Sequence, residues 1–431
     1  MTPAPNTALF TDHYELTMLA AALRDETAAR RCTFEVFARS LPTGRRYGVV
    51  AGTGRFLDAL REFRFGDDEL AALQPVLDAA TLKWLREFIF GGDIDGYREG
   101  ELYFPGSPVL SVRGSFAECV VLETLALSVL NHDSAIASAG ARMVSAAQGR
   151  PLIEMGSRRT HEEAAVACAR AAYLAGFTAT SNLEAGRRHG VPTSGTSAHA
   201  FTLLHTDDAG ADEAAAFRAQ VDALGVDTTL LVDTYDITAG IETAVRVAGP
   251  ALGAIRIDSG DLGVMADKAR VQLDGLGATG TRIVVSGDLD EYAIAGLRAE
   301  PVDAYGVGTS LVTGSGAPTA GMVYKLVEVD GVPVAKRSTN KASRGGAKAA
   351  VRRARSTGTV VEELVHARGA DVVLGPNDRA LMLPMVRGGE LLGDVPSLED
   401  ARTHLAAGLV SLPWEGLKLS QGEPAIPTTF A

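Results

Sequence analysis

Between Pro151 and Ser315 the chain repeats one unit: a short apolar run, an abrupt cluster of Gly, Ser, Thr, Asp, Arg or His, then a helical stretch. The clusters read EMGSRRT, TATSN, TSGTSAH, LVDTYD, IRIDSGD, VVSGDLDE and YGVGTS. Apolar runs of this length, each followed by a helix, are the pattern of parallel strands buried on both faces and joined by helical crossovers. In such folds chemistry sits where strands end. Nearly every polar group that calls for an explanation lies at that kind of position, so the repeat predicts one shared pocket. The helices are legible too: HEEAAVACARAAYLAGF has helical spacing, and ADEAAAFRAQVDALG and GVMADKARVQLDGLG end in Gly as a C-cap does. Seven units, one short of eight, leave an incomplete barrel or a doubly wound open sheet. The reading favoured is an α/β fold with an irregular, incomplete TIM-like barrel.

The flanking segments differ in texture. TDHYELTMLAAALRD reads as an amphipathic helix, followed by strand-like FEVFARS and YGVVAG around the turn LPTGRR. ELYFPGSPVLSVRGSFAECVVLE alternates and turns on Pro and Gly, which predicts a small antiparallel sheet before a long helix from about Leu122 to Ala147. Beyond Gly321, MVYKLVEVDGVPVAKRS reads as a hairpin with a DG turn, followed by the basic stretch NKASRGGAKAAVRRAR and by further short strands. Residues 1–120 with 322–431 are therefore expected to form one α+β domain with a small antiparallel sheet, and 121–321 the barrel. A length of 431 residues, 46% of them apolar, fills cores of this size. The net charge of −12 argues against a nucleic-acid partner, so an anionic ligand must meet a local basic pocket. Cys32, Cys119 and Cys168, odd in number and scattered, read as reduced thiols of a cytoplasmic protein. MTPAPNTALF has neither a basic n-region nor a long apolar stretch, and no signal peptide or membrane span is expected.

In IRIDSGDL, alternation along a strand puts Arg256 and Asp258 on the same side, with Asp261 close behind. The plain alternative is an ion pair at a barrel rim; a task in the pocket is favoured. LVDTYD supplies Asp233 to the pocket and Asp236 as the cap of the next helix. Ser286-Gly287-Asp288 is a third acidic strand end. Three carboxylates around one mouth suit a polyhydroxylated sugar, or a Mg²⁺ that arrives with substrate phosphates. Phosphate itself needs donors, and Gly306, Gly308 and Thr309, read as lying past the last strand, offer backbone N–H groups. Arg158, Arg159 and Arg256 add positive charge at other strand ends. His199 closes a run of small hydroxylated residues. A satisfied rim histidine is the bland account, while its setting favours a general base or nucleophile.

TDHYELTM, GSRRTHEEAAV, ATSNLEAGRRHGVPTSGTSAHAF, LVDTYD, IRIDSGDLG, SGDLDE and YGVGTSLVT, in this order, closely resemble nicotinate phosphoribosyltransferase, to about Arg353. The resemblance implies a type II phosphoribosyltransferase, with an irregular α/β barrel beside a domain built from both chain ends. It implies condensation of nicotinate with phosphoribosyl pyrophosphate to nicotinate mononucleotide and pyrophosphate in NAD biosynthesis and salvage. ATP is then a hydrolysed co-substrate, and Mg²⁺ accompanies the phosphates.

By motif, His199 resembles the histidine that ATP phosphorylates, and Asp258 and Asp233 the groups that hold the ribose hydroxyls or the metal. Arg256 and Arg158 resemble residues that contact the ring carboxylate or phosphates, with Thr196 and Ser259 also at the substrate. Ser286, Gly287, Asp288, Gly308 and Thr309 resemble those that hold ribose and its 5′-phosphate. Tyr14 resembles a tyrosine that reaches across a dimer interface to stack on the pyridine, which implies a homodimer with shared sites. Ser181 stands where related nicotinamide enzymes carry Asp, so a substrate carboxylate is not repelled. Two positions depart from the common pattern: Met155 replaces a ring-stacking Phe, and Ala200 replaces a Ser after the histidine. Alternatives are a quinolinate or nicotinamide phosphoribosyltransferase, a phosphate-binding aldolase or isomerase, and a non-catalytic regulatory barrel. The aldolase reading wants a strand-end Lys or Glu, whereas Lys268 and Glu242 fall on predicted helices.

Overall fold

The computed structural model describes residues 6–208, 210–336, 343–393 and 396–431. The first five residues of the N-terminal segment, the end of the hairpin segment and the start of the basic stretch, 337–342, lie outside the described residues. The chain divides into two compact units, 139–316 and 1–138 with 317–431. This division falls within the helix Glu123–Ala147.

In the first unit six strands form one all-parallel sheet. Their order is Thr229–Leu231, Ala254–Ile257, Arg282–Ser286, Ala304–Val307, Leu152–Glu154 and Ala179–Thr180. Leu230, Ile255, Ile257, Ile283, Val285, Tyr305 and Val307 are all fully buried, as strands covered on both faces require. Helices Glu162–Ala175, Glu213–Leu224, Ile237–Ala248 and Leu262–Gly275 return the chain between strands. The sheet is an open, irregular barrel, incomplete as expected but with six strands where seven units are counted in the sequence.

The TSGTSAH cluster does not follow a strand. Thr193 makes a single parallel bridge to Thr180, and the chain then runs irregularly to the helix His199–Leu204. Pro192 lacks an N–H, and the small hydroxylated residues after it offer no apolar side chain to bury, so no ladder extends. Asp261 also departs from its expected place near the pocket. Its carboxylate accepts the Val264 N–H at 3.3 Å and caps the helix Leu262–Gly275, as Asp236 caps Ile237–Ala248 through the Ala239 N–H at 2.8 Å. Each satisfies a helix-end donor that would otherwise be orphaned.

The second unit is built from both chain ends. Arg31–Ala38 lies between Met322–Val329 and Leu110–Ser115 in a seven-stranded antiparallel sheet. Met322–Val329 turns at Asp330-Gly331, with φ of 48° and 79°, to pair with Val332–Pro333, the expected hairpin. A four-stranded sheet joins Arg379–Ala380, Lys348–Ala354, Val360–Ala367 and Thr428–Phe430. The apolar stretch Phe116–Ala147 is long enough to cross a membrane by length and composition, with 67% of its most apolar window buried within the protein. All three cysteines are buried and unbridged, Cys168 within the helix Glu162–Ala175.

Candidate active site

Because the six strands are parallel, their carboxyl ends share one rim, and the residues that follow each strand are brought together there. Asp233 follows Leu231 by two residues and its side chain is 1% exposed. One of its oxygens, Oδ2, accepts the Asp258 N–H at 2.9 Å and the Ser259 hydroxyl at 2.7 Å. The other, Oδ1, is buried without a hydrogen-bond partner and lies 4.0 Å from His199 Nε2. His199 Nδ1 is 3.1 Å from Thr234 Oγ1, and the ring is 41% exposed. One imidazole is thus set between a buried carboxylate and a hydroxyl and is partly open to solvent.

Arg256 and Asp258 share a side of their strand, as alternation predicts. The guanidinium donates to Ser286 Oγ at 2.9 Å, to Thr196 Oγ1 and the Ser197 carbonyl at 3.4 Å, and to Asp258 Oδ1 at 3.4 Å. Ser286 in turn donates to Asp258 Oδ1. Arg256 is held on several sides, while Asp258 is 34% exposed and, among the described residues, takes both of these bonds on Oδ1. Ser286 is followed by Gly287 at φ +113°, where a Cβ would lie 2.6 Å from the Asp258 carbonyl, and by Asp288 at φ +45°. Only glycine fits that first position. Gly306 lies inside the strand Ala304–Val307 and not beyond it. A Cβ there would sit 2.7 Å from Met155 Sδ and 3.1 Å from Ser286 Cβ, so Gly306 makes room for the thioether beside Ser286. Gly308 and Thr309 do follow the strand, at the start of the short helix Thr309–Val312.

Residues 9–131 match the nicotinate phosphoribosyltransferase N-terminal domain. Over 97% of this chain and 94% of its relative, the sequence is 70% identical to a nicotinate phosphoribosyltransferase of Mycobacterium tuberculosis. The chain belongs to the nicotinate phosphoribosyltransferase family. Human nicotinic acid phosphoribosyltransferase has a TM-score of 0.84 to it at 27% identity, covering 98% of this chain and 97% of that one. A nicotinate-nucleotide pyrophosphorylase from Pyrococcus furiosus shares the fold, with a TM-score of 0.79 at 24% identity over 95% and 98% of the two chains.

Against the residues singled out from sequence in this family member, the structure gathers Asp233, Asp258, Arg256, Ser259, Thr196 and Ser286 into one hydrogen-bonded cluster, with His199 beside it at 4.0 Å from Asp233. Met155 packs at Gly306, and Arg158 and Ser181 are exposed in loops past their strands. Asp288 and Thr309 are exposed at the same rim. Tyr14 belongs to the other unit, on the helix His13–Arg24, and is 46% exposed. Among the described residues, no group of three or more His, Cys, Asp or Glu side chains is arranged to hold a metal ion.

Three residues of the site went unremarked in the sequence. Thr234, between two aspartates, holds the imidazole. Glu154 is buried beneath the GSRR loop. Glu213 opens the helix Glu213–Leu224 with one oxygen buried and unpartnered. Burial, then the charges of Asp233 and Asp236, push its carboxyl up to about 7. In the sequence it reads only as an acid in a first helical turn, where acids are ordinary.

Proposed function

We infer that this chain condenses nicotinate with phosphoribosyl pyrophosphate to give nicotinate mononucleotide and pyrophosphate, with ATP hydrolysis coupled through a phosphorylated His199, in NAD biosynthesis and salvage. The observation that carries this reading is the imidazole of His199 between Thr234 and the half-paired, buried Asp233, on the rim that also holds Arg256 and Asp258. A carboxylate opposite Nε2 favours a proton on that nitrogen, which puts the nucleophilic lone pair on Nδ1; there it accepts the Thr234 hydroxyl, which must turn away as the ATP γ-phosphate approaches. The phosphoryl group then adds negative charge and acceptor oxygens at the mouth, which orders the loops around the departing pyrophosphate.

At the ribose carbon, positive charge develops as pyrophosphate leaves. Asp258 faces that charge, and Arg256, fixed by Ser286 and Thr196, meets the ring carboxylate or the phosphates. Deleting one such preorganised group costs typically about 3 kcal/mol, roughly a hundredfold in rate. The donor set fits a Mg²⁺ that shares one carboxylate, Asp258 foremost, with substrate phosphates; bound there, the ion neutralises pyrophosphate charge. Ser181, uncharged, lets the acid rather than the amide approach the arginines. A homodimer with Tyr14 serving the neighbouring site is the assembly this reading expects.

Pyrophosphate release, measured with nicotinate, nicotinamide and quinolinate in turn, with and without ATP, tests the reading. Turnover is expected with nicotinate and is stimulated by ATP. Preference for either other base, or indifference to ATP, would overturn it.

A further inference from the structure

Glu154 ends the strand Leu152–Glu154 and is 1% exposed, yet among the described residues no cationic side chain pairs with it. Buried glutamates without a cation are uncommon, because desolvation of the charge goes uncompensated. Burial accordingly raises its carboxyl above the ordinary range, against the two hydrogen bonds that oppose the rise. Those two bonds are informative in what they join. One oxygen accepts the backbone N–H of Gly156 and the other accepts the hydroxyl of Thr180. The first donor opens the Met155–Arg158 loop; the second opens the Ser181–Asn182 loop.

Further bonds lock the same pair of loops together. The Asn182 N–H donates to Thr180 Oγ1 at 3.0 Å, the Asn182 amide to Ser157 Oγ at 3.0 Å, and the Ser181 N–H to the Glu154 carbonyl at 2.8 Å. A Cβ at Gly156 would lie 2.3 Å from Val312 Cγ1 and 2.9 Å from Glu154 Oε1, so the carboxylate and Val312 leave no room for a side chain there. Alternation along the strand sends Met155 to the opposite side, against Gly306. Glu154 therefore sits behind the rim and touches no substrate.

We propose that Glu154 is a positioning residue that fixes the Met155–Arg158 loop relative to the Ser181 loop and thereby sets the affinity for the pyridine base. This rests on the functional reading above, with Met155 and Ser181 at that base, and takes the ring carboxylate as the partner of Arg158. The test compares Glu154→Ala, Glu154→Gln and Thr180→Val in the full chain. The readouts are KM for nicotinate, KM for phosphoribosyl pyrophosphate, and phosphate transfer from ATP to His199 without nicotinate. Glu154→Ala strands a buried N–H and a hydroxyl, and the nicotinate KM should rise about tenfold or more. The other two readouts should stay within about twofold, since the two donors that lose their acceptor, the Gly156 N–H and the Thr180 hydroxyl, belong to the loops at the base and not to the His199 cluster. Thr180→Val should move the nicotinate KM in the same direction by less. Glu154→Gln, which keeps an acceptor for the Gly156 N–H, should recover most of the loss. An unchanged nicotinate KM in folded Glu154→Ala, or a parallel impairment of all three readouts in Glu154→Ala and Thr180→Val, with both KM values raised and phosphate transfer lowered, would overturn the proposal. Wild-type protein inert toward nicotinate would overturn the functional reading, and this inference with it.

Discussion

Asp233 divides its carboxylate between two tasks. Oδ2 is spent on the Asp258 N–H and the Ser259 hydroxyl, which fixes the side chain, and Oδ1 is left facing His199. Glu213 shares this neighbourhood, and its ionisation has a measurable consequence. Its folded carboxyl titrates at about 7 against 4.5 when unperturbed, so between those values the folded protein keeps a proton that the unfolded chain has lost. Stability from this group is complete below pH 4.5 and is lost as pH rises through about 7. Glu213→Gln removes the titration, so its melting temperature should fall less than wild type's between pH 5 and pH 8 and exceed it at pH 8 (~1 kcal/mol after allowing for partial exposure). Calorimetry across that range checks it; parallel curves for the two proteins would exclude the role given to burial. Glu213 could not be picked out in the sequence, because only the fold carries Asp233 and Asp236 toward it.

The parallel strands were legible because each is a short apolar run that ends in polar residues, a signal fixed by burial on both faces. The TSGTSAH unit misled because the same kind of polar cluster occurs in a loop, where Pro192 and hydroxylated residues replace the apolar run. Asp261 misled differently: an acid just past a strand end is also an acid just before a helix, and capping took it. Asp236 and Asp233 illustrate the distinction within one cluster. Asp236→Ala should lower stability by about 1 kcal/mol, the usual cost of a lost N-cap. Its ATP-dependent turnover should remain, since among the described residues the carboxylate bonds only the Ala239 N–H. Denaturant unfolding together with initial rates would show it. A large loss of turnover at full stability would move Asp236 into the site.

Across the whole molecule, the likeness of texture between the two chain ends has a structural cause, since Arg31–Ala38 and Met322–Val329 are neighbours in one sheet. The last seventy-odd residues were hardest to read, because what holds them is a buried polar network rather than a periodic pattern. Arg352, 1% exposed, donates to Glu363 at 2.7 Å and to the Leu102 carbonyl at 2.8 Å, while Tyr97 donates to Glu363 at 2.8 Å. Glu363→Ala removes the nearer of the two buried carboxylates that face the guanidinium, leaving Glu101 at 3.5 Å, and should cost roughly 3 kcal/mol. A thermal shift no larger than that of an exposed substitution would contradict the account of that unit. The function proposed for the barrel turns instead on one nitrogen. Incubation with ATP labelled in its γ-phosphate, followed by acid and alkali treatment, tests this most directly. The account predicts an acid-labile, alkali-stable label on the wild-type chain that is absent from His199→Ala. A label that persists in the variant, or a wild type that takes none while still turning over nicotinate, would contradict it.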